Sequence, residues 1–184
     1  MTTILGIAGS LRRGSFNRAI LENARSLMPA EATLEVTGVD GIPLYDGDLE
    51  DNEGIPAAVE ELKARICAAD GLVLASPEYN TAVPGVLKNT MDWLSRPPED
   101  IARVFAGRPV AVIGATPGRL GTILAQTAWL PVLRTLRMRH WAGGRLMVSA
   151  AHEHIDGDGV LTDEATRKAV AEFMAGFVEF VRRG

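Results

Sequence analysis

Hydrophobic positions along the chain follow two alternating patterns. Short runs rich in β-branched or aliphatic residues recur at Thr3 to Ala8, Thr33 to Val39, Leu72 to Ala75, Val110 to Ala115 and Arg145 to Val148, and they predict strands. Between them lie segments of helical pattern: Phe16 to Met28, Pro56 to Ala69, Pro84 to Leu94, Gly121 to Arg139 and, last, Asp163 to Arg182. Pro56 and Pro84 suit a first helical turn, and Thr162 followed by Asp163 and Glu164 reads as an N-cap with acids matched to the dipole. Pro131 should kink the fourth helix, because it removes a backbone donor. Strand and helix alternating in this way predict an α/β fold, a parallel sheet covered by helices on both faces.

Composition narrows the partners. With 184 residues the chain is sized for one domain with a proper core, and 19 basic against 23 acidic side chains leave a formal charge of −4. No global field would draw nucleic acid or an anionic membrane, so any anion site must be local. The apolar stretch Leu120 to Leu133 falls short of the roughly 20 residues that span a bilayer. The start "MTTILGIAGS" has no basic residue ahead of its apolar run, which makes a cytoplasmic protein the expectation. Cys67, the single cysteine, excludes an intramolecular disulfide and reads as a buried core thiol.

In open parallel sheets, ligands bind beyond the carboxyl ends of the strands, where strand order reverses. The loops to inspect are therefore "GSLRRGSFN" from Gly9, "SPEYNTAVPG" from Ser76 and "TPGRLGT" from Thr116. Gly9 to Ser15 has the GxxxxG frame of a nucleoside triphosphate loop but lacks its lysine, and Gly6, Gly9 and Gly14 are wrongly spaced for a dinucleotide fingerprint. The first helical turn after Ser15 is "FNR", without Asp or Glu, while Arg12, Arg13 and Arg18 lie close by. Helix N-termini ordinarily attract acids, so hydroxyls and arginines there point to a phosphate supplied by a ligand; a serine that merely caps the helix is the other reading.

"GSLRRGSFN" together with "ASPEYNTAVPGVLKNTMDWLSR", Ala75 to Arg96, resembles the NAD(P)H-dependent FMN reductase family of flavodoxin-like quinone, azo-dye and chromate reductases. The resemblance runs from the first strand through "TPGRLGT", and "DGDGVLTDEATRK" is similar to the family's lead-in to its last helix. It implies a flavodoxin-like doubly wound sheet of five parallel strands in the order 2-1-3-4-5, with residues 1–184 forming a single FMN-binding domain. Ser10, Arg12, Ser15 and Asn17 match the family's phosphate loop. Pro77, Glu78, Tyr79 and Asn80 match the loop that lies against the isoalloxazine ring, mainly through backbone contacts. Thr116 and Gly118 match the loop at the ring's far side. The cofactors implied are FMN with NADPH or NADH, and the partner is a small-molecule electron acceptor such as a quinone. Because the cofactor carries the hydride and electron chemistry, no catalytic side chain is assigned.

A homodimer or homotetramer is also implied. Trp93, Leu94, Trp129 and Leu133 are candidates for that contact, with core burial the competing explanation. Tyr79 reads as a flavin contact or as an ordinary surface aromatic. Small residues such as Gly118 and Gly121 suit close approach of a flat ring to the backbone. Arg119 departs from the family, where glycine is common; its guanidinium either lies in solvent or meets a nicotinamide cofactor's phosphate or the substrate at the rim. "HEHIDGDG" from His152 reads as turn chemistry and no metal site is expected. Arg134, Arg137, Arg139 and His140 read as cations complementing the end of the fourth helix, and the acidic run Asp46 to Glu53 as a solvated loop. Two rivals remain: a flavodoxin-type single-electron carrier without NAD(P)H activity, and a phosphate-binding domain without flavin.

Overall fold

The strand segments alternate between two cores. In the computed structural model, which describes residues 1–184, the chain runs β1 (Thr2–Ala8), α1 (Phe16–Ala24), β2 (Ala32–Thr37), α2 (Gly47–Glu53), α3 (Ala57–Ala68), β3 (Gly71–Ala75) and α4 (Gly85–Leu94). It continues with α5 (Asp100–Val104), β4 (Pro109–Ala115), α6 (Ile123–Thr135), β5 (Arg139–His140), β6 (Leu146–Val148), α7 (Ala151–His154) and α8 (Glu164–Arg182). Every strand pairing is parallel, and the order is β2-β1-β3-β4-β5, with β6 also on β4. This is the flavodoxin-like order expected.

The period-two geometry of strands decides which residue enters which core. Ile4, Val73, Ala111 and Ile113 face one side, packed with Ile20 and Leu21 of α1 and Phe173, Met174 and Phe177 of α8. Leu5, Ile7, Leu72, Leu74, Val110 and Val112 face the other, against Val59, Leu62 and Ile66 of α3, Leu87 and Met91 of α4 and Trp129 and Leu133 of α6. Trp93, Leu94, Trp129 and Leu133 are at most 1% exposed, so they are core residues and unavailable for a contact between subunits.

Several local expectations are corrected. The fifth strand position is shared: Pro109 and Val110 pair with Arg139 and His140, and Ile113 to Ala115 pair with Leu146 to Val148. Trp141 to Arg145 thus bulge outward opposite only Ala111 and Val112, held by the Trp141 ring, which meets Phe173 edge-on at 5.0 Å. The fourth predicted helix accordingly ends at Thr135, not Arg139. Its basic cluster is dispersed: Arg137 has a left-handed φ of +57° and Arg139 stacks over Phe180 at 4.5 Å. The acidic run is a helix, α2, capped by the Asp46 carboxylate accepting from the Asp48 amide. Asp163, not Thr162, caps α8, accepting from the backbone and hydroxyl of Thr166, bonds that hold its carboxyl below the ordinary carboxylate range. Cys67 is only half-buried. No helix is long and apolar enough to cross a membrane.

Candidate functional site

The carboxyl ends of β1, β3 and β4 deliver three loops to one edge of the sheet, and side chains interlock them there. Gly9 donates its amide to Ala75 O at 2.9 Å, which joins the roots of the first and second loops. Asn17, 3% exposed, donates Nδ2 to Ala115 O at 2.9 Å and accepts from the Ala115 amide at 3.0 Å, which binds α1 to the end of β4. The Ser10 hydroxyl and the Tyr79 hydroxyl are 3.4 Å apart. Trp129 donates its indole N–H to the buried Ser76 hydroxyl at 2.8 Å, and that hydroxyl donates to Pro77 O. Glu78 accepts from the amides of Leu124 and Ala125 at the start of α6, at 2.9 and 3.0 Å.

At the first loop Ser15 is the N-cap of α1; its Oγ accepts from the Arg18 amide at 3.2 Å. The serine-cap reading is therefore correct, yet it accounts for only one donor. The amides of Phe16 and Asn17 have no acceptor, and the first turn contains no acid. Ser10 and Ser15 are 5% and 7% exposed. Arg12 and Arg13 are exposed and make no ion pair, whereas Arg18 turns away to Asp40 at 3.3 Å. Nothing lies within 4 Å of the place a Cβ on Gly14 would occupy. The orphaned helix amides and unpaired guanidinium groups, with two buried hydroxyls in the same loop, form a donor set short of protein acceptors, and a phosphate dianion is a group that would satisfy it.

The second loop turns back on itself. Tyr79 and Ala82 exchange backbone hydrogen bonds at 3.2 and 3.1 Å, around Asn80 and Thr81 with φ of +50° and +61°. Such a turn favours Asn at its first position but strains a β-branched residue at its second. Pro77 is buried beneath it, and Tyr79 stands 45% exposed. In the third loop the Thr116 hydroxyl accepts from the Gly118 amide at 3.2 Å, and the Ala150 amide donates to Gly118 O at 3.0 Å. A Cβ on exposed Gly118 would meet only the Thr116 side chain, at an ordinary contact distance of 3.6 Å. Gly121 serves a different end: its φ is +55°, and a Cβ there would come within 2.7 Å of Met147. Packing, not a flat ligand, requires that glycine. Arg119 is exposed and unpaired.

These loops bring Ser10, Arg12, Ser15, Asn17, Pro77, Glu78, Tyr79, Asn80, Thr116 and Gly118 to one edge. Two of the side chains are spent inside the protein: the Asn17 amide on Ala115 and the Glu78 carboxylate on α6. Their backbone amides are what they have left to offer a ligand. The cross-loop bonds were not visible in the sequence, apart from one signal: "TILAQ" opens a helix with neither a capping acid nor a first-turn acid of its own.

A doubly wound parallel sheet in the order β2-β1-β3-β4-β5, with a helix N-terminus of unsatisfied amides at its switch point, defines a flavodoxin-like protein. The family model of the NADPH-dependent FMN reductases matches residues 2–153. The chain is similar to an NAD(P)H-dependent FMN reductase of Pseudomonas aeruginosa, 41% identical over 98% of this chain and 95% of that protein. It is also similar to a 2-hydroxy-1,4-benzoquinone reductase of a Burkholderia species, 35% identical over 96% and 94%. Among solved structures, FerB of Paracoccus denitrificans, a flavoenzyme NAD(P)H:(acceptor) oxidoreductase, superposes with a TM-score of 0.87 at 30% identity, covering 100% of this chain and 98% of that one. The chain belongs to the NADPH-dependent FMN reductase family of oxidoreductases.

Proposed function

We propose that this enzyme binds FMN across the three loops, oxidises NADPH or NADH, and passes the electrons to a small acceptor such as a quinone. The observation that carries the reading is the donor set at α1: two amides without acceptors, two buried hydroxyls, and the unpaired Arg12 and Arg13. When bound, FMN supplies the hydride and electron chemistry, and the chain supplies binding and orientation. Ser10, Arg12, Ser15 and the amides of Phe16 and Asn17 hold the phosphate. The backbone of Pro77, Glu78, Tyr79 and Asn80 lies against one side of the isoalloxazine, and Thr116 and Gly118 against its far side. Gly118 is exposed at the tip of the third loop, the side from which the nicotinamide and then the acceptor would approach the ring.

Residues 1–184 act as one FMN-binding domain in the cytoplasm, assembled as a homodimer or homotetramer. With Trp93, Leu94, Trp129 and Leu133 buried, the apolar side chains left for that assembly include Leu44, Leu120 and Leu130. The quinone as acceptor is supported by the names of the relatives. An absorbance spectrum of the purified protein with FMN, followed by anaerobic NADPH and then a benzoquinone, tests the reading. Bleaching of the flavin band by NADPH and its return on quinone addition are expected. A chain that takes up FMN but is indifferent to NADPH would instead be a single-electron carrier, and one that takes up no flavin would refute the cofactor.

A further inference from the structure

The side chain of Glu78 does more than its place in a flavin-facing loop requires. α6 opens after Thr122, a residue with φ of +67° that makes no side-chain capping bond, and its first turn holds no acid. A helix begun in this way leaves its first amides and the positive end of its dipole uncompensated from within. The Glu78 carboxylate, projecting from the loop after β3, fills that gap with bonds to the Leu124 and Ala125 amides. Resting on the reading that these two loops flank the flavin ring, we propose that Glu78 is a positioning residue that locks the ring loop to the third loop. One carboxylate then sets the spacing of both walls of the flavin site.

The surroundings show why such a lock is needed. Tyr79 to Ala82 are exposed, and their turn holds Thr81 in a left-handed conformation that costs a β-branched residue energy, so the loop lacks a strong preference of its own. The third loop is anchored on its far side only: Thr116 donates to Val148 O, Ala151 to Thr116 O and Ala150 to Gly118 O, all toward β6 and α7. Between the second loop and α6 the other tie is Trp129 to Ser76, which lies at the buried root of the loop. No other hydrogen bond joins the exposed part of the ring loop to α6. Removing the carboxylate therefore frees the two walls from each other while leaving each attached to the sheet.

The test compares Glu78→Ala, Glu78→Gln and the double variant Glu78→Ala with Leu124→Glu in the full-length chain. Leu124 is 40% exposed in the first turn of α6, so a glutamate there restores charge to the helix end without bridging the loops. Three readouts are taken: hydrogen exchange at the Leu124 and Ala125 amides without flavin, FMN affinity by titration, and the separate kcat and KM for NADPH. Glu78→Ala is expected to expose both amides to rapid exchange and to weaken FMN about tenfold, the effect of one well-formed bond to a charged group. Glu78→Gln, which keeps the shape but not the charge, should fall between. The double variant should recover thermal stability but not FMN affinity. If it recovers wild-type affinity, the carboxylate only caps the helix and the proposal is wrong. Wild-type FMN binding with an indifferent Glu78→Ala overturns the proposal alone, whereas a wild-type chain that takes up no flavin overturns the functional reading with it.

Discussion

Two polar regions of this molecule handle charge in opposite ways. Among α2, α3, α4 and α5, ions meet ions. Lys63, wholly buried, pairs with Glu60 at 2.7 Å and Asp100 at 2.8 Å and donates to Arg96 O at 2.6 Å. Arg96 in turn pairs with Glu50 at 2.8 Å, and Glu50 accepts from the Tyr45 hydroxyl. At the carboxyl edge of the sheet, by contrast, amides and carboxylates bond to backbone across loops, and Arg12, Arg13 and Arg119 have no partner. A region that closes its own charges is structural, because each ion is already compensated. A region that leaves hydroxyls, amides and guanidinium groups open on one edge is arranged for a charge that arrives from outside.

The paired region should give the largest effect on stability. Lys63→Met keeps the bulk of the side chain but strips Asp100 and the Arg96 carbonyl of their partner, and breaking a buried pair from one side costs about 3 kcal/mol. Urea unfolding should show that loss, with FMN affinity within about twofold of wild type, since the cluster lies away from the loops. Hydrogen bonds from Arg103 and Lys63 hold Asp100 below the ordinary carboxylate range, and Arg96 does the same for Glu50. Their contribution is complete at neutral pH and is lost as pH falls through the lowered folded-state values, below about pH 4. The gap between wild type and Lys63→Met should therefore narrow on acidification. Equal stability of the two proteins at pH 7 would erase the contrast between the regions.

The open region should give the next effect, on binding and not on folding. Arg12→Ala combined with Ser15→Gly removes a guanidinium and a hydroxyl from the anion cradle while keeping a residue that tolerates the cap position. FMN should weaken by about tenfold to a hundredfold, and riboflavin, which lacks the phosphate, by about twofold at most. Parallel weakening of the two flavins, measured by fluorescence titration, would remove the phosphate assignment. Arg119 is exposed on the third loop, and a guanidinium suits a bidentate phosphate contact should the nicotinamide dinucleotide approach over that loop. Arg119→Gly should raise the KM for NADPH about three- to fivefold more than that for NADH and leave FMN affinity unchanged, the modest size expected of an exposed contact. Equal changes in both KM values, or none, would leave Arg119 a surface substitution.

Much of the architecture was readable from one dimension, because period-two and period-3.6 burial are local consequences of backbone geometry. Leu5 and Ile7 on one face and Ile4 and Ala8 on the other already imply a sheet covered on both sides, and the lack of first-turn acids in α1 already pointed to an anion there, with a plain serine cap as the alternative. The residue motifs likewise named the loops that meet. Tertiary structure alone decided what the polar side chains in those loops do. Asn17 and Glu78 stand in ligand-like motifs, yet their side chains bond to Ala115 and to α6, partners about 50 to 100 residues away whose proximity depends on the sheet order. The splitting of the fifth strand was hidden for a similar reason: β5 is too short to show alternation, and only its pairing with Pro109 and Val110 makes it a strand. Burial of Trp93 and Trp129 was undecided in the sequence because a core position and an intersubunit contact share one apolar signature, and only the packing of α4 and α6 on the sheet chose between them.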